Sequence, residues 1–178
     1  DPLEKDTQVG PMARADLRDD LDKQVRATVA QGAKVLLGGE PLNRPGAYYP
    51  PTILGNVTAE MTAFKEETFG PVAAVIRAKD EADAIRLANT SDFGLGGALW
   101  TRDTARGERL AAQIESGAVF INGMTASDPH LPFGGVKRSG YGRELSSQGI
   151  KEFCNAKTVW IGSATASATT PTAGDHSE

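Results

Sequence analysis

The chain has 178 residues, enough for one domain with a real core and too few for two large ones. Apolar residues make up 39% and charged residues 24%, as in an ordinary globular domain, and nineteen basic against twenty-three acidic residues leave a net charge of −4. With no dense Lys/Arg run, a nucleic-acid partner is disfavoured; no apolar stretch approaches the length of a membrane span, and the first residues do not read as a signal peptide.

Residues 1–11 carry two prolines and a glycine and read as a loop. The chain opens at Asp1-Pro2-Leu3 without an initiator Met and enters a polar, turn-like run, which reads as a fragment of a longer protein or as a cut or translation artefact. Leu17, Leu21, Val25 and Val29 recur every four residues and predict a helix, with Asp16, Asp19 and Asp20 early, Lys23 and Arg26 later, and Gly32 as the stop. Lys34 to Leu37 predicts a short strand ended by Gly38-Gly39. Residues 40–51, with four prolines, are irregular, and Thr52 to Leu54 is a second short strand.

From there strands and helices alternate. Val72 to Ile76 predicts a strand, and Asp80 caps a helix through about Asn89, with Asp83 in capping-box position. Leu95 to Trp100 is a strand set off by Phe93-Gly94, Asp103 caps a helix to about Ile114, and Ala118 to Ile121 is a strand. This order implies an α/β fold with a largely parallel sheet and helices packed against it. The Gly-, Pro- and Ser-rich stretch 122–143 is too long for a plain connector and marks a functional loop. A helix from about Gly142 to Phe153 and a strand from Lys157 to Ile161 follow, then a Ser/Thr/Ala-rich stretch, 163–178, expected to be disordered.

The generic phosphate motifs fail. Gly140-Tyr141-Gly142 opens like a dinucleotide fingerprint but places Leu145 where the third glycine belongs, and the Gly135–Gly140 spacing leads to Tyr141 where a P-loop needs Lys. Two longer signatures stand out: Lys65-Glu66-Glu67-Thr68-Phe69-Gly70-Pro71-Val72, and Leu131-Pro132-Phe133-Gly134-Gly135-Val136-Lys137-Arg138-Ser139-Gly140-Tyr141-Gly142-Arg143-Glu144-Leu145. In this order, and spaced as they are from Glu152-Phe153 and Lys157-Thr158-Val159-Trp160, they resemble the aldehyde dehydrogenase superfamily, over residues 1 to about 162. Phe120 through Leu145 is most similar to bacterial succinate-semialdehyde dehydrogenases.

The resemblance implies a partial catalytic domain over 1–156, with helices on both faces of its sheet, and an oligomerisation strand over 157–162, hence a homo-oligomer. It implies NAD or NADP as cofactor and a small aldehyde, succinate semialdehyde, as substrate. Glu67 is then the carboxylate that accepts from the nicotinamide ribose hydroxyls, bonds worth roughly 1.5–3 kcal/mol each, and Phe69 is its ring-packing neighbour. Phe133 lines the substrate tunnel, and Ser127 matches a serine that helps bind the substrate's distal carboxylate, although Asp128 beside it opposes an anion. By residue type alone, Glu66 and Glu67 read as a solvated acidic pair, Phe133 also as a core ring and Ser127 also as a turn residue.

The family uses a cysteine nucleophile, a general-base glutamate and an oxyanion-holding asparagine, and the resemblance places all three upstream of Asp1, so no catalytic residue is expected here. The single cysteine, Cys154, falls in the family's closing helix and strand and is expected to be a small buried apolar residue. One cysteine excludes an internal disulfide and a cysteine-rich zinc site, and fits a reducing, cytoplasmic location; His130 and His176 are too far apart for a histidine metal site. The alternative is an inert module of the same fold that acts through subunit association.

Overall fold

A computed structural model describes residues 2–162 of the chain. The expected tail at 163–178 lies outside the described residues. The elements run α1 (Ala15–Ala30), β1 (Lys34–Leu37), β2 (Thr52–Gly55), α2 (Thr62–Lys65), β3 (Val72–Ala74), α3 (Glu81–Thr90), β4 (Phe93–Gly94), β5 (Gly96–Leu99), α4 (Thr104–Ala111), β6 (Ala118–Ile121), β7 (Val136–Lys137) and α5 (Ser146–Glu152). The fold is α/β, and its ladders are mixed. β2 pairs with β3 in parallel and with β1 antiparallel, β5 pairs with β6 in parallel, and β4 pairs with β7 antiparallel.

α1 carries the core. Leu21 and Val25 are buried with Ala33, Tyr49, Leu54, Val57 and Met61, and each large side chain removed from water contributes about 1.5–3 kcal/mol. The buried face is Leu21, Val25 and Thr28, whereas Val29 is exposed. A four-residue step on a helix advances about 40° past a full turn, so the run of Leu17, Leu21, Val25 and Val29 winds off the core by its end. The Tyr49 hydroxyl donates to Asp22 at 3.3 Å, and burial beside that carboxylate pushes its pKa well above the usual tyrosine range.

From residue 62 to residue 162 the only buried residues are glycines: Gly94, Gly107, Gly135 and Gly149. In this half the buried glycines pack against neighbouring backbone and side chains while the larger apolar side chains stay partly or fully exposed, among them Trp100, Phe153 and Trp160. The helix caps are local and as read from sequence: Asp80 accepts from the Asp83 amide at 2.8 Å and Asp103 from the Arg106 amide at 2.9 Å.

Residues 157–161 form no ladder among the described residues, and Val159, Trp160 and Ile161 are exposed. Two expectations change. Cys154 is exposed rather than buried, because the segment after α5 leaves the packed body, and its thiol reaches the Ile150 carbonyl at 3.5 Å. The stretch read as one loop contains β7, whose partner β4 was read only as a spacer. No helix among the described residues is long and apolar enough to cross a membrane.

Candidate functional site

Glu67 and Phe69 lie on the segment between α2 and β3. Both are exposed, Phe69 at 74%, and the Glu67 carboxylate has no hydrogen-bond or ion-pair partner among the described residues. Its neighbour Glu66 differs: the Gln24 amide donates to Glu66 Oε2 at 3.0 Å and to the Glu67 carbonyl at 3.2 Å. Gly70 closes the segment against Leu21 of α1, where a β-carbon would collide with the leucine side chain. The result is an open carboxylate beside an open aromatic ring on an anchored backbone. That pairing of a hydrogen-bond acceptor with an apolar ring fits the vicinal hydroxyls of a ribose and the face of an adjoining ring.

Phe133 is half-buried and sits at the base of a closed loop. Its N–H donates to the Glu144 carbonyl at 2.9 Å and its carbonyl accepts from the Glu144 N–H at 2.8 Å. Arg143 Nη1 donates to the carbonyls of Gly135 and Gly142 at 2.9 and 2.6 Å, tying the loop across itself. Within this loop Gly142 adopts a positive φ of 75°, and a β-carbon on Gly134 would press on the Gly142 carbonyl, so the backbone itself requires glycine at both positions.

Lys137, at the far side of the loop, donates to the Asn89 and Ser91 carbonyls at the end of α3 and pairs with Glu115 at 2.8 Å. Asn122 pins the other flank, accepting from the Thr101 N–H and donating to the Thr101 carbonyl, both at 2.8 Å.

A cleft of about 390 Å³ lies between β6 and residues 126–133, lined by Val119, Phe120, Ala126, Asp128, Leu131 and Phe133 among others. Phe133 and Asp128 share its wall. Ser127 is exposed and is not among its lining residues. The Asp128 carboxylate accepts from the His130 N–H at 2.8 Å and contacts His130 Nδ1 at 2.9 Å, and these contacts hold its pKa below the usual carboxylate range, the backbone N–H most. No hydrogen bond or ion pair among the described residues joins the Glu67–Phe69 segment to the Phe133 loop, and no cluster of His, Cys, Asp or Glu among them has the makings of a metal site.

Sequence reasoning passed over Gln24 and Thr28 on α1 and Gln31 at its C-cap: Gln24 bonds to the segment carrying Glu67, and Thr28 and Gln31 bond to α2 just before it. Their spacing of four and three residues, beside the apolar face, was the available signal.

The aldehyde dehydrogenase family model matches residues 1–159. The succinate semialdehyde dehydrogenase Sad of Escherichia coli (strain K12), named for NAD(P)+, is 58% identical over 160 residues, covering 90% of this chain and 35% of the relative. The NADP(+)-named succinate-semialdehyde dehydrogenase 1 of Mycobacterium ulcerans (strain Agy99) is 55% identical over 162 residues, covering 91% of this chain and 35% of the relative.

Among solved structures, succinic semialdehyde dehydrogenase from Streptococcus pyogenes in complex with NADP+ matches with a TM-score of 0.88 at 37% identity, over 92% of this chain and 36% of that one. Mycobacterium tuberculosis aldehyde dehydrogenase complexed with NAD+ matches with a TM-score of 0.85 at 36% identity, over 90% of this chain and 34% of that one. The chain thus spans about 35% of the length of the curated relatives it matches.

Proposed function

The chain belongs to the aldehyde dehydrogenase family, and from that premise we propose that it forms part of an NAD(P)-dependent enzyme that oxidises succinate semialdehyde to succinate. The relatives at 55–58% identity carry that name and are about two and a half times as long, which supports both the substrate and the shared labour with a remainder holding the nucleophilic cysteine, the general-base glutamate and the oxyanion-holding asparagine. The bound cofactor supplies the hydride acceptor. The chain's own part is binding and orientation.

Glu67 accepts hydrogen bonds from both nicotinamide-ribose hydroxyls, and Phe69 packs beside the ring. Phe133 walls the aldehyde channel, and Ser127 donates to the substrate's distal carboxylate, with arginines from the remainder neutralising its charge against Asp128. Residues 1–156 are the partial catalytic domain, and 157–162 an oligomerisation strand that completes its ladder on another subunit of a homo-oligomer. The exposed Val159, Trp160 and Ile161 support that role. A single cysteine fits a cytoplasmic protein.

The observation that carries the reading is the free, exposed carboxylate of Glu67 next to an engaged Glu66. In the full-length enzyme containing this chain, Glu67→Gln is expected to slow hydride transfer roughly tenfold to a hundredfold, the worth of one charge-assisted bond. Pre-steady-state reduction of the cofactor, with circular dichroism to verify the fold, measures it. Unchanged cofactor kinetics would remove Glu67 from the site. The exposed apolar C-terminal segment also favours a second reading, an inert module that pairs with complete subunits, which requires that the full-length gene product lack aldehyde oxidation.

A further inference from the structure

We propose that Gln24 and Thr28 of α1 and Gln31 at its C-cap are positioning residues that aim the Glu67 carboxylate at the cofactor; the inference rests on the reading of Glu67 above. The three lie at i, i+4 and i+7, on one side of the helix. α2 has only four residues, too short to hold its own conformation, and its N-cap, Met61, offers no side-chain acceptor. α1 supplies the acceptors instead. Gln31 Oε1 accepts from the Thr62 N–H at 2.8 Å, and Thr28 Oγ1 accepts from the Ala63 N–H at 3.0 Å. Thr28 is fully buried, and its hydroxyl proton goes to the Gln24 carbonyl at 2.7 Å, so its oxygen is fixed as the acceptor for Ala63.

The far end of α2 is tied to the same stripe. Gln24 Nε2 donates to Glu66 Oε2 and to the Glu67 carbonyl. Glu66 is extended, with φ −105° and ψ 152°. Consecutive side chains on extended backbone point to opposite sides, so drawing Glu66 onto α1 turns Glu67 away from it. That is the observed outcome: Glu66 is engaged, and Glu67 is exposed and unpartnered among the described residues. One glutamine on a helix more than forty residues upstream therefore decides which of two adjacent carboxylates is free.

Two measurements test this together. In the full 178-residue chain, amide hydrogen exchange at Ala63 is expected to accelerate at least about tenfold in Thr28→Val and to stay slow in Thr28→Ser, which keeps the hydroxyl. In the full-length enzyme, Gln24→Ala and Thr28→Val are each expected to raise the cofactor KM roughly fivefold while leaving the aldehyde KM unchanged, with Thr28→Ser near wild type. Gln24→Ala alters only an exposed contact and keeps the test alive if Thr28→Val folds poorly. If neither variant moves the cofactor KM while Glu67→Gln still slows hydride transfer, α1 is a structural clamp only and the proposal is overturned with the Glu67 reading intact. If Glu67→Gln is itself silent, that reading fails and the proposal falls with it.

Discussion

The α-carbon of Gly117, in the turn entering β6, lies against the backbone carbonyl of Gly134, with no room between them for a side chain. The contact joins the start of a parallel strand to the residue after Phe133. The obstacle is backbone on both sides and cannot rotate away. Gly117→Ala is therefore expected to destabilise the chain by about 3 kcal/mol, the upper range for overpacking. Urea unfolding measures it; a loss under about 0.5 kcal/mol would contradict the packing described.

At Gly70 the obstacle is softer, because an added β-carbon meets the end of the Leu21 side chain rather than backbone. Gly70→Ala is expected to cost about 1–2 kcal/mol, and Leu21→Ala, at a buried site, about 2–5 kcal/mol. The double variant should cost less than the sum, since removing the leucine makes the room that the alanine needs. A double-mutant cycle is expected to show coupling of at least about 0.5 kcal/mol. Strict additivity would mean that the two residues do not share that space.

Asp103 caps α4 through the Arg106 amide. Asp103→Ala is expected to cost about 1 kcal/mol and Asp103→Asn only a few tenths, since the amide oxygen can still accept. Thermal unfolding of both variants checks the order, and equal losses would point to charge rather than the hydrogen bond.

The pKa of Asp128 is depressed in the folded chain by the His130 N–H and then by the His130 ring. A carboxylate with a lowered folded pKa adds its stabilisation above the ordinary value and loses it as pH falls through the folded one. The turn at 128–130 is thus expected to stay closed through neutral and mildly acidic pH and to open only below the ordinary carboxylate range. A carbon-detected NMR titration of Asp128 should give a midpoint below 3.8, the ordinary value. In His130→Ala most of the depression should persist, because the backbone donor remains. A wild-type midpoint at or above the ordinary value would refute the assignment.

Legibility in the sequence followed the range of the interaction. The caps at Asp80 and Asp103 were readable because the carboxylate and the amide it receives are three residues apart. The β5–α4–β6 unit was readable from its alternating pattern. The pairing of Phe93 with Lys137 was not, since Val136-Lys137 sits among glycines with no apolar period to announce a strand. Glu67, Phe69 and Phe133 were legible only through long motifs; by residue type they are two exposed groups and a half-buried ring. Gln24, Thr28 and Gln31 had the right spacing, but a polar stripe beside an apolar face is ordinary on a surface helix.

By itself, then, the sequence determined the helices, most of the strands, the caps and the two motif segments, because hydrophobic period, cap chemistry and turn residues act within a few positions of one another. Only the tertiary structure decided which glutamate is engaged, which aspartate walls the cleft and which glycines admit no side chain. Those outcomes depend on surfaces brought together from positions tens of residues apart, where burial and a few hydrogen bonds choose between neighbours that local chemistry leaves equivalent.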